Sequence, residues 1–250
     1  MRNLIAACRA VCIITTYSAF ALLGVFIHLC FFRSRLKRNY WLSLAAHYMA
    51  SCSCFLFNIH VKIVGKWNPA PRALIVANHV GAPDIFVLGS CFRTFFVSKL
   101  ELRGWPLIGY LSRLGATIFV DRSQRHQVKT TIKAICDRLE AGLSVVLFPE
   151  GGVSDGTRIL PFRTSHLEAA IRARSPVLPV LIKYHDEHAP GIACWFKISF
   201  FKHILGLLKN PRLDVTVTIF PPITGQNRHE LANTSYRLLH EEQRMNNLSA

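Results

Sequence analysis

The run Ala10 to Phe32, AVCIITTYSAFALLGVFIHLCFF, contains no Lys, Arg, Asp or Glu and is bounded by Arg9 and Arg33. At a helical rise of about 1.5 Å per residue it is long enough to cross a hydrocarbon core of about 30 Å. Any fold must therefore bury a long greasy helix or give it to a membrane. A secretory signal is the poorer reading, because the apolar region is too long and no A-x-A cleavage site follows it. A basic cluster follows instead: Arg33, Arg35, Lys37 and Arg38 outnumber Arg2 and Arg9, which places what comes after on the cytoplasmic side. His28 inside the run is expected at an interface rather than at a functional site.

A second apolar segment, Asn39 to Phe57, has Tyr40 and Trp41 as interface anchors but is diluted by Ser43, His47, Ser51 and Ser53. It is expected to lie in the membrane surface or to complete a short hairpin. Residues 1–57 thus form a membrane anchor, with a helix over 10–32 and an interfacial or re-entrant helix over 39–57, and residues 58–250 form the catalytic domain.

Composition agrees with a lipid partner. Apolar residues make up 51% of the chain, while 30 Lys and Arg against 14 Asp and Glu leave a formal charge of +16. Such a charge invites nucleic acid, but no recognition helix, aromatic RNA-binding strand or zinc-finger spacing is present, and nucleic acid leaves the apolar excess unexplained. An anionic membrane surface with an acidic substrate accounts for both. The eight cysteines form no C-x-x-C pair and are expected as free thiols.

Beyond residue 57 short β-rich runs alternate with helical ones. Ile59–Val64, Ala73–Ala77, Phe95–Ser98, Thr117–Val120, Ser144–Phe148, Val177–Tyr184 and Leu213–Phe220 predict strands. Val128, Ile132, Ile135, Cys136 and Leu139 lie on one helical face. The expected class is α/β, a mixed central sheet flanked by helices and preceded by an N-terminal membrane helix or two-helix membrane motif.

Asn78-His79-Val80-Gly81-Ala82-Pro83-Asp84 follows the second strand, where open α/β sheets bind ligands. On one continuous helix His79 and Asp84 would stand about 140° apart and could not meet. Gly81 permits a turn and Pro83 suits the first position of a new helix, so His79 can precede that helix while Asp84 sits in its first turn. The carboxylate can then orient one imidazole nitrogen and leave the other as a base. A dyad without serine fits a nucleophile that belongs to the substrate. Two ligands without a third make a metal site a weak reading.

Downstream, VVLFPEGGVSDGTRILPF holds G-x-S-x-G around Ser154, the signature of a hydrolase nucleophile elbow. That elbow needs a strand running straight into the serine and a helix straight after it. Pro149-Glu150-Gly151 intervene before Ser154, and Pro161 follows, so Ser154 is expected in a substrate loop. The histidines of YHDEH, Tyr184 to His188, are expected in a solvated loop. Trp195 to Lys209 interleaves aromatics and lysines and suits either a headgroup-level element or an ordinary strand and helix.

His79-x4-Asp84 resembles the H-x4-D motif of the glycerolipid acyltransferases, the 1-acylglycerol-3-phosphate acyltransferase family. Gly115 to Arg122 resembles the second block of that family, Phe148-Pro149-Glu150-Gly151 the third and Val177-Leu178-Pro179-Val180 the fourth, in family order, and Ser98 to Gly115 resembles the stretch between the first two blocks. The resemblance covers roughly residues 55 to 225. It implies O-acyl transfer from acyl-CoA or acyl carrier protein to a lysolipid acceptor, most simply 1-acylglycerol-3-phosphate, with no metal or redox cofactor. His79 would be the base and Asp84 its orienting partner, Arg122, Glu150 and Gly151 would hold the head group, and Pro179 would shape the acyl-donor side. The loop departs from the family at Val153, where an arginine is usual, and SDGTRILPF resembles a bacterial subgroup that includes lyso-ornithine lipid acyltransferases. That subgroup implies a bacterial inner membrane, with membrane lipid as a further partner. A membrane-anchored serine esterase using Ser154 and a non-catalytic lipid-binding protein are the competing expectations.

Overall fold

The computed structural model describes residues 2–66, 72–121, 127–186 and 191–248. Seven strands lie where the β-rich runs place them: β1 (Ile59–Val64), β2 (Leu74–Ala77), β3 (Thr94–Lys99), β4 (Ile118–Val120), β5 (Ser144–Leu147), β6 (Val177–Tyr184) and β7 (Leu213–Ile219). Eight α-helices accompany them: α1 (Arg2–Cys30), α2 (Arg35–Leu56), α3 (Pro83–Cys91), α4 (Ile108–Leu114), α5 (Gln127–Glu140), α6 (Glu168–Arg172), α7 (Phe200–Lys209) and α8 (Arg228–Leu248).

The strands form one sheet in the order β1-β7-β6-β2-β5-β3-β4. Strands β2 to β6 run the same way, so their carboxyl ends share one edge. Strand β7 pairs antiparallel with β6 and parallel with β1, which reverses that end of the sheet. Strand β2 is buried throughout and β6 over its first six residues, as expected of inner strands covered on both faces. Pro179 is tolerated there because it falls just past the end of the β6–β7 ladder, where its missing N–H breaks no bond, while its carbonyl accepts from Phe220 N at 3.1 Å.

Period-two alternation splits the core into two layers. Ile75, Ala77, Val146, Phe148, Val180 and Ile182 pack beneath Cys54 of α2, Val87 and Leu88 of α3 and Leu207 of α7. Leu74, Val76, Val145 and Leu147 face Ile132, Ile135 and Leu139 of α5 and Leu231 of α8. Side chains continuing the first series beyond the strand ends therefore emerge on the α3 side.

The N-terminal helices differ from the sequence expectation in extent and contact. Helix α1 starts at Arg2, and α2 takes in Arg35, Lys37 and Arg38, because Lys and Arg are good helix formers and Ser34 caps the end, its Oγ accepting from Lys37 N at 3.4 Å. Helix α1 is long and apolar enough to cross a membrane, yet it is docked along its length. Arg9 donates to the carbonyls of Leu208 and Asn210 at the end of α7, Tyr17 Oη lies 2.9 Å from Ser53 Oγ, and Ile27 is buried with Leu42 and Phe95.

Helix α2 turns its polar residues inward. Asn39, Ser43 and Ser53 are buried while Trp41, Tyr48 and Phe55 are exposed, Phe55 at 83%. The inward groups have partners: Arg93 Nε donates to Ser43 Oγ at 2.8 Å, and His47 Nδ1 lies 2.8 Å from the Gly89 carbonyl. Of the residues that dilute the hydropathy of this segment, His47 holds it to α3, Ser43 to Arg93 just beyond α3 and Ser53 to Tyr17 of α1, which leaves an apolar outer face. Residues 191–199, just before α7, form no strand; Ser199 caps the helix, and Trp195 stacks against His203.

Close approach of α2 to α3 depends on Gly89, where an added Cβ would stand 2.7 Å from the Ala50 Cβ. Gly89→Val forces the helices apart and is expected to cost about 1–3 kcal/mol, lowering the thermal midpoint by roughly 2–12 °C. Thermal unfolding in detergent measures this, and an unchanged midpoint would show that the contact is not tight.

Candidate active site

Strand β2 ends at Ala77, and the next residue extends its pairing through a side chain. Asn78 Nδ2 donates to Ile182 O at 2.9 Å and its Oδ1 accepts from Ile182 N at 2.8 Å, fixing the start of the loop to β6. Gly81 is forced by space, since a Cβ there would collide with the Ala193 carbonyl. Pro83 opens α3 and Asp84 lies in its first turn, as the spacing predicts.

Asp84 is wholly buried and saturated with donors. Its Oδ2 accepts from His79 Nδ1 at 2.7 Å, Val80 N at 2.7 Å and Gly81 N at 3.0 Å, and its Oδ1 accepts from Tyr184 Oη at 2.6 Å. Bonds to a carboxylate in the first turn of a helix are charge-assisted and favoured by the helix dipole. With Nδ1–H donating to Asp84, a neutral His79 ring presents Nε2 as an acceptor. The ring stacks on Phe148 with centroids 4.1 Å apart, and its side chain is 20% exposed.

Tyr184 is the participant the motif reading missed. Burial, and then the charge of Asp84, hold its phenol well above the usual value, so it remains a donor. The available signal was period two: Tyr184 follows Ile182 on the α3 face of β6. His203 was also missed. It is buried, burial lowers it to about 4, and its Nε2 accepts from Ala82 N at 3.3 Å, just before α3.

Glu150 spends both oxygens on backbone: Oε1 accepts from His79 N at 2.8 Å and Oε2 from Leu160 N at 3.0 Å. Burial pushes its carboxyl up to about 7, with the two backbone bonds and the charge of Asp84 as smaller influences. Gly151 follows with φ +78°. His79, Asp84, Glu150 and Gly151 thus converge at the shared strand edge. Pro179 lies inside β6 opposite Val76, between Leu178 and Val180 of the α3-side core, and so faces the other layer. Arg122 lies outside the described residues, two positions past the end of β4 at Val120; His188 is also outside them.

Ser154 is not at an elbow. It stands in a loop well beyond β5, and no helix follows directly. Its N–H and hydroxyl both donate to the His79 carbonyl, at 2.8 and 3.3 Å, and its Oγ accepts from Gly156 N at 3.3 Å. The residue is buried and ties the loop to the backbone of His79 rather than to an imidazole.

The chain matches the acyltransferase family model over residues 58–183. It is 36% identical over 219 residues to a lyso-ornithine lipid O-acyltransferase of Rhizobium meliloti (strain 1021), covering 82% of this chain and 74% of that one. It is 35% identical over 124 residues to a 1-acyl-sn-glycerol-3-phosphate acyltransferase of Neisseria gonorrhoeae, covering 48% and 49%. The crystal structure of the 1-acyl-sn-glycerophosphate acyltransferase PlsC from Thermotoga maritima shares the fold, with a TM-score of 0.68 at 20% identity over 98% of this chain and 97% of that one. The chain therefore belongs to the acyltransferase family. It is an acyltransferase of lipid synthesis.

A loop serine bonded to backbone, in an enzyme with no elbow, is expected to be dispensable for chemistry. Ser154→Ala should cost about 1 kcal/mol of stability, keep substantial transfer activity and leave fluorophosphonate labelling absent as in the parent. Labelling at Ser154 that tracks activity would restore the esterase reading.

Proposed function

We propose that the protein is a lysolipid O-acyltransferase in which His79 activates the acceptor hydroxyl. The observation that carries this reading is the 2.7 Å bond from His79 Nδ1 to buried Asp84, which leaves Nε2 of a 20%-exposed side chain as the acceptor. Nε2 takes the proton from the hydroxyl as its oxygen attacks the thioester carbonyl. Collapse of the tetrahedral intermediate forms the ester and breaks the C–S bond, and the proton passes from His79 to the departing thiolate. Asp84 holds the tautomer and stabilises the imidazolium, while Tyr184 and the two backbone N–H groups keep the carboxylate in place.

The acceptor we favour is a lyso-ornithine lipid. The relative bearing that name is 36% identical over most of both chains, whereas the 1-acyl-sn-glycerol-3-phosphate acyltransferase of Limnanthes douglasii, which aligns as widely, is 28% identical, and Val153 lacks the arginine usual for a phosphate. Lysophosphatidic acid is the second reading, favoured by the resemblance that gives Arg122, two residues past β4 in sequence, the role of a forked donor suited to phosphate. The donor is an acyl thioester, acyl-CoA or acyl carrier protein.

We assign the outer faces of α1 and α2 to the membrane, with Leu22, Phe26, Leu29 and Phe55 exposed. Docking of α1 from Arg9 to Ile27 supports a helix embedded alongside the domain, because a perpendicular crossing would carry α2 and α7 into the bilayer with it. The basic residues from Arg33 to Arg38 support a cytoplasmic site.

His79→Ala is expected to lower transfer by about 10²–10⁴-fold with vesicle binding unchanged, and near-parental activity would remove the mechanism. Tyr184→Phe, which deletes one charge-assisted bond, should lower kcat about tenfold with little change in acceptor KM. A rise in KM at unchanged kcat would show that Tyr184 contacts substrate instead.

A further inference from the structure

The loop after β5 has Val153 where the family pattern it resembles usually has an arginine, yet the fold brings another guanidinium to the start of that loop. Two bonds close the loop on itself: Leu160 N donates to Glu150 Oε2 at 3.0 Å, and Arg163 N donates to Pro149 O at 2.9 Å. The closure lays the Arg163 side chain across Gly151. A Cβ on Gly151 would stand 2.7 Å from Arg163 Nε and 2.9 Å from Arg163 Cζ, and the φ of +78° is itself a glycine conformation. The glycine of the F-P-E-G motif is thus what allows the guanidinium to rest against the turn.

Arg163 lines a small cavity of about 40 Å³ together with Phe148, Pro149 and Gly151. Glu150, the neighbour of Gly151, accepts from His79 N, so the cation rests on the same turn that holds the base at its backbone. Among the described residues no Asp or Glu lies in ion-pair range of Arg163. Glu150, next to Gly151, has both oxygens engaged by backbone N–H groups, and burial favours its neutral form. An exposed planar cation with five donors, no carboxylate partner among the described residues and a place on the turn that holds His79 suits bidentate capture of an oxyanion.

We propose that Arg163 is a specificity-determining residue that holds the head-group oxyanion of the lysolipid, a phosphate monoester or an α-carboxylate, in place of the arginine absent at Val153. This rests on the lysolipid acyltransferase reading above. The head group held at Arg163 places the acceptor across Phe148, so that its free hydroxyl is presented to His79.

Arg163→Met keeps the stem that packs over Gly151 and removes the fork, and Arg163→Lys keeps the charge without the plane. Both are assayed with lysophosphatidic acid, lyso-ornithine lipid and monoacylglycerol, which carries no oxyanion, beside acceptor-free thioester hydrolysis. Arg163→Met is expected to raise KM for the preferred anionic acceptor about 10- to 100-fold, the size of a lost charged hydrogen bond, with monoacylglycerol transfer and hydrolysis unchanged. Arg163→Lys should recover part of the loss. A defect confined to lysophosphatidic acid identifies phosphate as the ligand, and one confined to lyso-ornithine lipid identifies the carboxylate; either supports the proposal. Unchanged KM on both anionic acceptors overturns it, as does an equal fall in hydrolysis and monoacylglycerol transfer, which would make Arg163 a packing residue. A parent protein that transfers to no lysolipid would sink the functional reading and this inference with it, whereas a parent that transfers normally beside an unaffected Arg163→Met sinks this inference alone.

Discussion

A carboxylate buried at the mouth of the sheet is tolerable only if its lone pairs are filled, and Asp84 meets that condition with four donors drawn from two parts of the chain. Two are the N–H groups of Val80 and Gly81, which bend the loop into α3. One is Tyr184 at the end of β6, and one is His79 itself. Burying this charge therefore fixes the turn, the helix start and the strand pairing together. Asn78, clamped to Ile182, sets the same register from the other side of the loop. The orientation of His79 follows from these bonds and from its stacking on Phe148, without help from any flexible group.

The surroundings of the dyad serve the same end by other means. Glu150 and Ser154 bind the N–H and the carbonyl of His79 respectively, so the residue is held at its backbone as well as its ring. His203 ties Ala82 to α7, and α7 is capped by Arg9 of α1. A continuous chain of contacts runs from the apolar outer helices to the start of α3. The inverted polarity of α2, with serines inward and aromatics outward, belongs to this design: the polar groups hold the helix to the protein and the apolar face is left exposed.

Much of the fold is legible in the sequence because period-two runs of buried β-branched residues have few other solutions, and all seven strands lie where those runs predict. The meeting of His79 and Asp84 is legible for a similar reason, since Gly81 and Pro83 specify a turn and a helix start between them. Tyr184 was not, because it reaches Asp84 from 100 residues away and only the sheet order brings β6 beside β2. Arg163 was hidden by its loop, whose closure on Pro149 and Glu150 is a tertiary event. For α2, hydropathy counts serine and histidine as polar wherever they point, so composition registered their dilution but not their inward direction. Pro179 belongs to the fourth motif block, and strand alternation sets it on the face of β6 opposite Leu178 and Val180.

Chemical rescue of His79→Ala tests the central claim most directly, because the slot against Phe148 that accepts the imidazole ring remains when the side chain is removed. The account predicts that added imidazole restores acyl transfer saturably and in proportion to its neutral form, since the missing function is a proton acceptor held by Asp84. A transfer rate indifferent to imidazole, or one that rises with imidazolium, would contradict it.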